Sequence, residues 1–264
     1  MLTEVKKEIK LMLYSVRYAL IREMLNKVSF ISNIIFMILN NASFIIQWII
    51  LYSVKDNVGG YSFSQVLLLW GLASTSFGIS HFFFKRAYNL SNTIVNGSLD
   101  NYLLQPKNVL LSAITSDVEV SALGDITYGI IVFFFTKESI KLFPVYIFFS
   151  ITSALILTAV AVIYGSLSFW FTNSEQVADR VNSALSSFAT YPEGIFKGIV
   201  KIILYTIIPV GIISYLPIRV LSSFNLVLFL IIVGITISLV LLSFIIFNKG
   251  LKRYSSSNLM VARI

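Results

Sequence analysis

Six long apolar stretches, separated by short polar segments, constrain this chain more than any other feature of its sequence. A helix that crosses the hydrocarbon core of a bilayer needs roughly 20 predominantly apolar residues, and these stretches are of that order. Of the 264 residues 57% are hydrophobic and only 12% are charged, whereas an average globular domain has about 25% charged residues. A soluble chain this apolar would lack the polar residues to cover its own surface. The bilayer is therefore the expected solvent, and an all-α membrane protein is the expected fold class.

The apolar stretches predict six transmembrane helices within a single transmembrane domain over residues 1–264. Their expected bounds are 28–54, 62–84, 109–136, 143–171, 199–216 and 222–247. Before the first of them, residues 1–26 carry apolar side chains at three- and four-residue steps, with lysines largely on other faces. Such an amphipathic helix tends to lie in the membrane interface, although the first helix of a soluble domain would show the same periodicity. The polar residues 172–190 can form a second interfacial helix.

The twenty basic residues are distributed unevenly over the segments that link the spans. With a cytoplasmic N-terminus, sixteen lie in inner segments and four in outer ones, namely Lys55, Lys137, Lys141 and Arg219. Because the cytoplasmic segments of membrane proteins are enriched in Lys and Arg, this bias predicts that both termini are cytoplasmic. The same bias accounts for the formal net charge of +8 without a nucleic-acid partner.

The longest hydrophilic, turn-rich interval lies between the second and third spans, at residues 86–108. Asn96-Gly97 is a turn signal, and Pro106 blocks the continuation of a helix. Because a cytoplasmic loop is exposed to water, we expect some of its apolar residues to be buried in a partner protein. Those apolar residues are Ile94, Leu99, Leu103 and Leu104.

The second span carries a stripe of small residues, Gly71, Ser74, Thr75 and Gly78, at the helical spacing i, i+3, i+4 and i+7. Such a stripe lets a neighbouring helix approach closely, so tight packing is its expected role. His81 lies about one turn further along the same helix. It either takes part in a transport pathway or is simply hydrogen-bonded near the membrane interface.

The third span contains three acidic residues, Asp117, Glu119 and Asp125. A charged side chain at the bilayer centre costs on the order of 2.5–3.5 kcal/mol, so carboxylates at that depth indicate a function. Asp117, Asp125 and Tyr128 lie on one helical face, and with His81 they are the candidate residues of a substrate pathway. Two interpretations remain open: this face lines a wet pathway, or the first turns lie in the headgroup region and only Asp125 is deep.

The residues that the chain lacks exclude several kinds of chemistry. It has no cysteine, and a single histidine cannot form a multi-histidine metal site. It contains no G-x-x-x-x-G-K-[ST], no H-E-x-x-H and no G-x-S-x-G. We therefore expect no catalytic residues, no metal site, no cofactor bound by this chain and no enzymatic activity of the chain by itself.

The order of several short motifs resembles that of the permease subunits of the second class of ABC exporters, the bacterial ABC-2-type efflux permeases. The resemblance covers nearly the whole chain, beginning with the basic amphipathic N-terminal helix and the six spans. The motifs are, in chain order, Ile94, Asn96-Gly97, Leu99-Asp100, Leu103-Leu104, Pro106, Phe169-Trp170, Tyr191-Pro192, Ile207-Ile208-Pro209, Pro217 and Arg253-Tyr254-Ser255-Ser256-Ser257.

This resemblance implies a function for the chain. It would be the permease subunit of an exporter in the bacterial plasma membrane, moving an amphiphilic compound, such as a drug or an antimicrobial peptide, out of the cytoplasm or the inner leaflet. A separate cytoplasmic subunit would bind ATP and Mg²⁺, and a second permease, identical or homologous, would complete the pathway among the membrane lipids. The ATP-binding subunit would dock on a coupling helix that contains Ile94, Gly97, Leu99, Asp100, Leu103, Leu104 and Pro106.

Members of this family carry re-entrant external helices near the end of the fifth span. Here the link Pro217–Leu221 is short, so the apparent fifth span can itself contain such an element, which leaves its boundary open. Two other functions also remain open. One is a membrane immunity or scaffold protein without transport activity, and the other is a secondary transporter driven by protons through Asp125 and His81.

Overall fold

The computed structural model describes residues 2–105, 108–136, 138–171 and 174–255. Within these ranges the chain is helical and contains no β-strand, which confirms the all-α class. The α-helices, numbered in chain order, are α1 (Leu2–Met24), α2 (Lys27–Val54), α3 (Phe63–Phe84), α4 (Leu90–Val95), α5 (Asp100–Leu103), α6 (Val109–Ile114), α7 (Ala122–Phe135), α8 (Phe143–Ser166), α9 (Ser174–Phe188), α10 (Ile199–Ile203), α11 (Leu216–Ser222) and α12 (Leu226–Leu251).

Short helices of other types extend three of these elements. A 3₁₀ helix at Lys85–Asn89 joins α3 to α4, and another at Leu167–Phe169 prolongs α8. A π-helix at Gly211–Tyr215 leads directly into α11.

Four helical segments of the described chain are long and apolar enough to cross a membrane: Lys27–Val54, Phe63–Val95, Ile140–Phe169 and Leu226–Leu251. They coincide with the first, second, fourth and sixth predicted spans. Two further apolar helices, Ala122–Phe135 and Gly211–Ser222, are shorter. The chain is therefore a multi-pass membrane protein, with four of its six predicted spans present as long helices.

Polar side chains fix the first residues of the long helices. At the start of α2, the Asn26 side chain accepts a hydrogen bond from the Ser29 amide at 3.1 Å, and Asn225 caps α12 in the same way. At the start of α3, Ser62 and Gln65 form a reciprocal capping box. These side chains supply partners for amide groups that the first turn of a helix leaves unpaired, so each apolar helix begins at a polar cap.

The long helices run between two ends of the bundle, which we name after a carboxylate at each. At the Glu193 end, the turn between α2 and α3 packs against Ile195. At the Asp117 end, the ring of Phe169 meets the ring of Phe247 edge-on, with centroids 5.6 Å apart. The second contact places the end of α12 beside the end of α8. At the other end, Leu228 near the start of α12 lines one cavity with Gly60 and Glu193.

Helices α3 and α7 approach each other along the small residues of α3. A Cβ atom added at Gly71 would lie 3.1 Å from the Gly129 carbonyl oxygen, and one added at Gly78 would lie 2.8 Å from the Ala122 carbonyl oxygen. Side chains larger than hydrogen would push these backbones apart. The prediction that the small stripe serves tight helix packing is confirmed.

The predicted third span, 109–136, is not one continuous helix. Helix α6 ends at Ile114 and α7 begins at Ala122. The residues between them include Asp117 and Glu119, whose carboxylates form ion pairs with side chains from other segments. The chain leaves the helical path where its charged residues reach those partners, and only α7 continues into the bundle.

Helix α9 differs from the sequence prediction of an interfacial helix at 172–190. At its start, the Ser174 hydroxyl lies 2.7 Å from the Ser168 hydroxyl near the Asp117 end. Beyond its last turn, the Tyr191 ring packs edge-on against Trp48 in the half of α2 nearer the Glu193 end, with centroids 5.9 Å apart. Helix α9 therefore runs along the bundle from one end toward the other.

The predicted fifth span, 199–216, is not a single crossing helix. Lys201 Nζ lies 2.9 Å and Arg219 Nη2 lies 2.5 Å from the carboxylate oxygens of Glu193. Because Lys201 and Arg219 meet the same carboxylate, the chain between them returns to the end from which it came. We call residues 201–219 the hairpin.

This hairpin contacts helix α8 on its way. The Ser153 hydroxyl donates to the Ile213 carbonyl at 2.6 Å, and the Tyr164 hydroxyl donates to the Ile207 carbonyl at 3.0 Å. Tyr164 belongs to the last turns of α8, so the hairpin reaches well toward the Asp117 end. A re-entrant element in this region agrees with what the family resemblance implies.

Candidate functional site

The segment between α3 and α6 folds as short helices at the Asp117 end, and we call its residues 86–105 the α4–α5 segment. Gly97 has a φ of +70°, a backbone conformation that favours glycine, and it makes the turn between α4 and α5. Pro106, one of the predicted coupling residues, lies outside the described residues, as does Lys107.

Two of the predicted coupling residues face the interior of this chain. Ile94 and Leu99 are completely buried and pack in one cluster with Leu90, Leu110 and Phe247. Their side chains therefore pack inside this chain and not on an exposed surface, and the coupling role implied for them remains a prediction. They instead anchor the α4–α5 segment to the bundle, each with about 1.5–3 kcal/mol of hydrophobic stabilisation.

Three other apolar residues of the α4–α5 segment are exposed. The side chain of Leu104 is 90% exposed, that of Leu103 is 41% exposed and that of Val95 is 44% exposed. A single exposed leucine is ordinary on a protein surface. Here three exposed apolar side chains lie within ten residues at the Asp117 end of the bundle.

Asp100 belongs to the same segment and lies near Tyr254, close to the C-terminus. Burial raises the pKa of the Tyr254 phenol to about 12, and the nearby carboxylate of Asp100 adds to that effect. The Tyr254 ring also packs edge-on against Phe169, with centroids 6.2 Å apart. Phe169 and Tyr254, which belong to motifs far apart in the sequence, therefore lie together against the α4–α5 segment.

Asp117 is the centre of an ion-pair cluster and does not line the cavity described below. Arg22 of α1 lies 2.5 Å from its carboxylate, while Lys85 and Arg86, just after α3, lie 3.8 and 3.9 Å away. Glu119 pairs with Lys85 at 3.1 Å. Individually such partly exposed pairs contribute only about 0–1 kcal/mol, but together they connect three segments at the Asp117 end.

A cavity of about 830 Å³ opens between α2, α3, α7 and α9. Its polar lining includes Asn41, Ser74, His81, Glu119 and Asp125. Asn41 Nδ2 of α2 donates to Asp125 Oδ1 of α7 at 2.6 Å, and the Ser74 hydroxyl of α3 donates to the Asp125 carbonyl at 2.9 Å. Asp125 is thus held by two helices and is separate from the ion-pair cluster.

The structure brings together only two of the four candidate pathway residues. Asp125 and His81 both line the cavity, whereas Asp117 and Tyr128 do not. His81 Nδ1 lies 2.9 Å from the Phe77 carbonyl oxygen, and its ring stacks on Tyr88 with centroids 4.0 Å apart. This local bonding agrees with the plainer of the two interpretations of His81.

Sequence reasoning missed several residues of the cavity wall. Trp48, Trp70 and Tyr191 line it, and so do polar residues near the end of α9 such as Ser187. The amides of the first span offer a partial signal, because an amide in hydrocarbon needs a partner on another helix. Asn41 has such a partner in Asp125. The α9 residues had no signal, since their helix was assigned to the interface.

Glu193 organises the opposite end of the bundle. Its side chain is buried, and it accepts hydrogen bonds from Arg219 and, at 2.9 Å, from the Tyr205 hydroxyl, while Lys201 Nζ lies 2.9 Å away. Burial alone raises the pKa of Glu193, but hydrogen bonds from Lys201, Tyr205 and Arg219 outweigh it, so the pKa is lowered. This one carboxylate fastens both flanks of the hairpin.

Replacing Glu193 with glutamine is expected to lower the free energy of unfolding by about 1–3 kcal/mol at pH 7, because charge-assisted hydrogen bonds are lost from a buried site. A lowered pKa in the folded state means that the unfolded chain binds more protons, so this stabilisation is present above about pH 4.3 and is lost as the pH falls through the lowered value. Thermal unfolding midpoints in detergent should differ between the two proteins at pH 7 and converge in acid. A constant difference at all pH values would contradict this role.

The described residues hold no group of three or more His, Cys, Asp or Glu side chains that could bind a metal ion. They do hold exposed apolar side chains at the Asp117 end and a cavity with polar and aromatic walls within the bundle. Both are features that can bind another molecule.

Comparison with known proteins identifies the family. A family model described as an ABC-2 family transporter protein matches residues 18–258, which is nearly the whole chain. No curated protein and no solved structure matches the chain. Proteins of the matched family are membrane subunits and not themselves nucleotide hydrolases. This match over most of the chain leads to one conclusion: the chain belongs to the ABC-2 family of transporter membrane proteins.

Proposed function

We propose that the chain is the permease subunit of an ATP-driven exporter in the bacterial plasma membrane. The match to the ABC-2 family over residues 18–258 is the observation that carries this proposal. The sequence has no phosphate-binding loop, so the energy of ATP must arrive through contact with a separate ATP-binding subunit, which holds ATP and Mg²⁺.

We place six crossings at α2, α3, α7, α8, α9 and α12, with both termini and the Asp117 end in the cytoplasm. The clustering of Arg22, Lys85 and Arg86 at that end supports this orientation under the positive-inside rule. Lys197 and Lys201 then lie on the outer side and Arg180 lies within the span of α9, which leaves thirteen basic residues in inner segments against six in outer ones. Helices α7 and α9, with 14 and 15 residues, rise about 21–23 Å, so the turns beside them complete each crossing.

The ATP-binding subunit docks on Leu103, Leu104 and Val95 in this proposal. These side chains lie on the cytoplasmic side, are exposed and are apolar, whereas the neighbouring Ile94 and Leu99 fix the segment rigidly to the bundle. A docked subunit that moves would therefore move α3 and α6 with it. Alternating access then requires only that the helix packing has two arrangements whose balance the ATP-binding subunit shifts.

A second permease covers α2 in the assembled exporter. Only 11% of the span window of α2 is buried within this chain, compared with 72% for the spans of α3 and α8. The exposed face of α2 away from the cavity includes the amide of Asn33. An amide that faces lipid hydrocarbon lacks a hydrogen-bond partner. Contact with a neighbouring helix therefore stabilises this face of α2 more than contact with lipid does.

Reconstitution tests the proposal. We expect the chain to co-purify with its cognate ATP-binding subunit and, in liposomes, to support efflux of an amphiphilic cargo only when both subunits and ATP are present. A chain that never associates with a nucleotide-binding subunit would contradict the proposal. Transport that stops on collapse of the pH gradient at constant ATP would instead favour proton coupling through Asp125 and His81, which share the cavity.

A further inference from the structure

The cavity between α2, α3, α7 and α9 has a negative charge without a positive partner. Among the described residues that line it there is no Lys or Arg. The carboxylate of Glu119 is paired with Lys85 at 3.1 Å, outside the cavity lining. Asp125 receives only the neutral amide of Asn41, at 2.6 Å, and the described ion pairs include none to it. A carboxylate in a largely apolar surrounding is stabilised by a cation, and here the chain supplies none.

Aromatic rings form much of the remaining wall. Phe44 and Trp70 stack with centroids 5.4 Å apart, and Trp48 meets Tyr191 edge-on at 5.9 Å. All four residues line the cavity. The faces of such rings attract organic cations, tryptophan most strongly, and their area accommodates an apolar body. The wall and Asp125 therefore favour the same type of ligand.

We propose that this cavity binds a cationic amphiphile. Asp125 is the counter-ion, and the aromatic wall holds the apolar body. As the substrate class of the exporter, this assignment rests on the proposed function; as a binding site, it stands on the cavity alone. An anion would meet two carboxylates and no basic side chain, and a neutral amphiphile would leave Asp125 uncompensated.

Three probes of equal chain length separate these requirements. N-(2-aminoethyl)dodecanamide carries both an ammonium and a carbonyl, dodecylamine carries only the ammonium, and N-ethyldodecanamide carries only the carbonyl. The full chain is placed in nanodiscs of zwitterionic lipid without an ATP-binding subunit, and binding is followed by tryptophan fluorescence, since two of the three tryptophans line the cavity. Empty nanodiscs correct for partition into lipid.

The aminoethyl amide is expected to bind saturably and about 10- to 100-fold more tightly than the neutral amide. Asp125→Asn should remove that preference, whereas Asp56→Asn, which deletes a carboxylate at an exposed turn outside the cavity, should preserve it. Dodecylamine should also bind more tightly than the neutral amide, since it too carries an ammonium group.

Equal binding of the aminoethyl amide and the neutral amide by the unaltered chain would overturn the proposal, and so would unchanged binding by a folded Asp125→Asn protein. Because the probe comparison uses the unaltered chain, the proposal remains testable even if a variant fails to fold. Association with the ATP-binding subunit is measured separately. If the chain associates with the ATP-binding subunit but shows no preference for the cationic probe, this inference alone is overturned. If it prefers the cationic probe but never associates, the exporter assignment alone is overturned.

Discussion

Replacing Leu103 and Leu104 together with aspartate is expected to weaken binding of the ATP-binding subunit by about 30-fold or more and to abolish transport. A few central side chains of an interface contribute about 2 kcal/mol or more each, on the order of a 30-fold change in affinity, and two carboxylates placed at such a centre add a desolvation cost. The membrane bundle should remain folded, because both side chains are exposed, at 41% and 90%, and contribute little to the packing of this chain. Co-purification measures the association, and thermal unfolding of the isolated permease measures the fold.

Two variants in the same segment serve as controls. Asn101→Asp adds a charge at an exposed position without removing an apolar side chain, so association should persist. Leu99→Asp should instead lower the free energy of unfolding, by about 3 kcal/mol or more, because it places a carboxylate at a completely buried position. If the double variant at Leu103 and Leu104 associates as tightly as the unaltered chain, the docking surface lies elsewhere.

A methyl group at Gly129 is expected to destabilise the bundle by about 1–3 kcal/mol, the usual cost of overpacking a close interface. In Gly129→Ala, the new Cβ would meet the Thr75 side chain and would lie 2.5 Å from the Gly71 carbonyl oxygen. The Gly129 carbonyl also accepts a hydrogen bond from the Tyr146 hydroxyl at 3.0 Å, so a shift of α7 would disturb that contact as well. A thermal unfolding midpoint well below that of the unaltered chain is the expected measurement.

Gly234→Ala in helix α12 is the matched control, since a Cβ at Gly234 would meet no heavy atom within 4 Å. Alanine is favoured over glycine in helices by about 1 kcal/mol, so this variant should be neutral or slightly more stable. An equal loss of stability in both variants would show that the close approach of α3 and α7 is not the cause.

The long apolar helices and their close packing were accessible from the sequence. Mean hydropathy depends only on the composition of one helix. Lys27–Val54 and Leu226–Leu251 are long and apolar enough to cross a membrane by that criterion alone. The small residues at Gly71 and Gly78 indicate a close approach for the same local reason. These features follow from residues that are neighbours along one helix.

Helix α9 and the hairpin after it were not accessible, because their placement depends on tertiary contacts. Helix α9 buries a narrow stripe that includes Ala178, Val181 and Leu185, and the remainder is polar, so its average composition resembles an interfacial helix. The hairpin is apolar enough to resemble a crossing. Lys201 and Arg219 are 18 positions apart in sequence, and both contact Glu193. Only these contacts place both flanks of the hairpin at one end.

The candidate site divides in the same way. Sequence reasoning located the α4–α5 segment but could not separate Leu99, which faces inward, from Leu104, which faces outward, because both are leucines in a polar context. It singled out Asp125 by its depth, yet grouped it with Asp117, whose basic partners come from α1 and from the residues after α3. Partners this distant in sequence leave no periodic pattern.

Cross-linking from Leu104 tests the central claim most directly. The chain has no cysteine, so Leu104→Cys gives a single attachment point for a photoactivatable cross-linker, and Phe224→Cys gives one at the Glu193 end. In membranes that contain the cognate ATP-binding subunit, the account predicts a cross-link to that subunit from position 104 and none from position 224. A cross-link from position 224, or none from position 104 in a complex that still co-purifies, would contradict it.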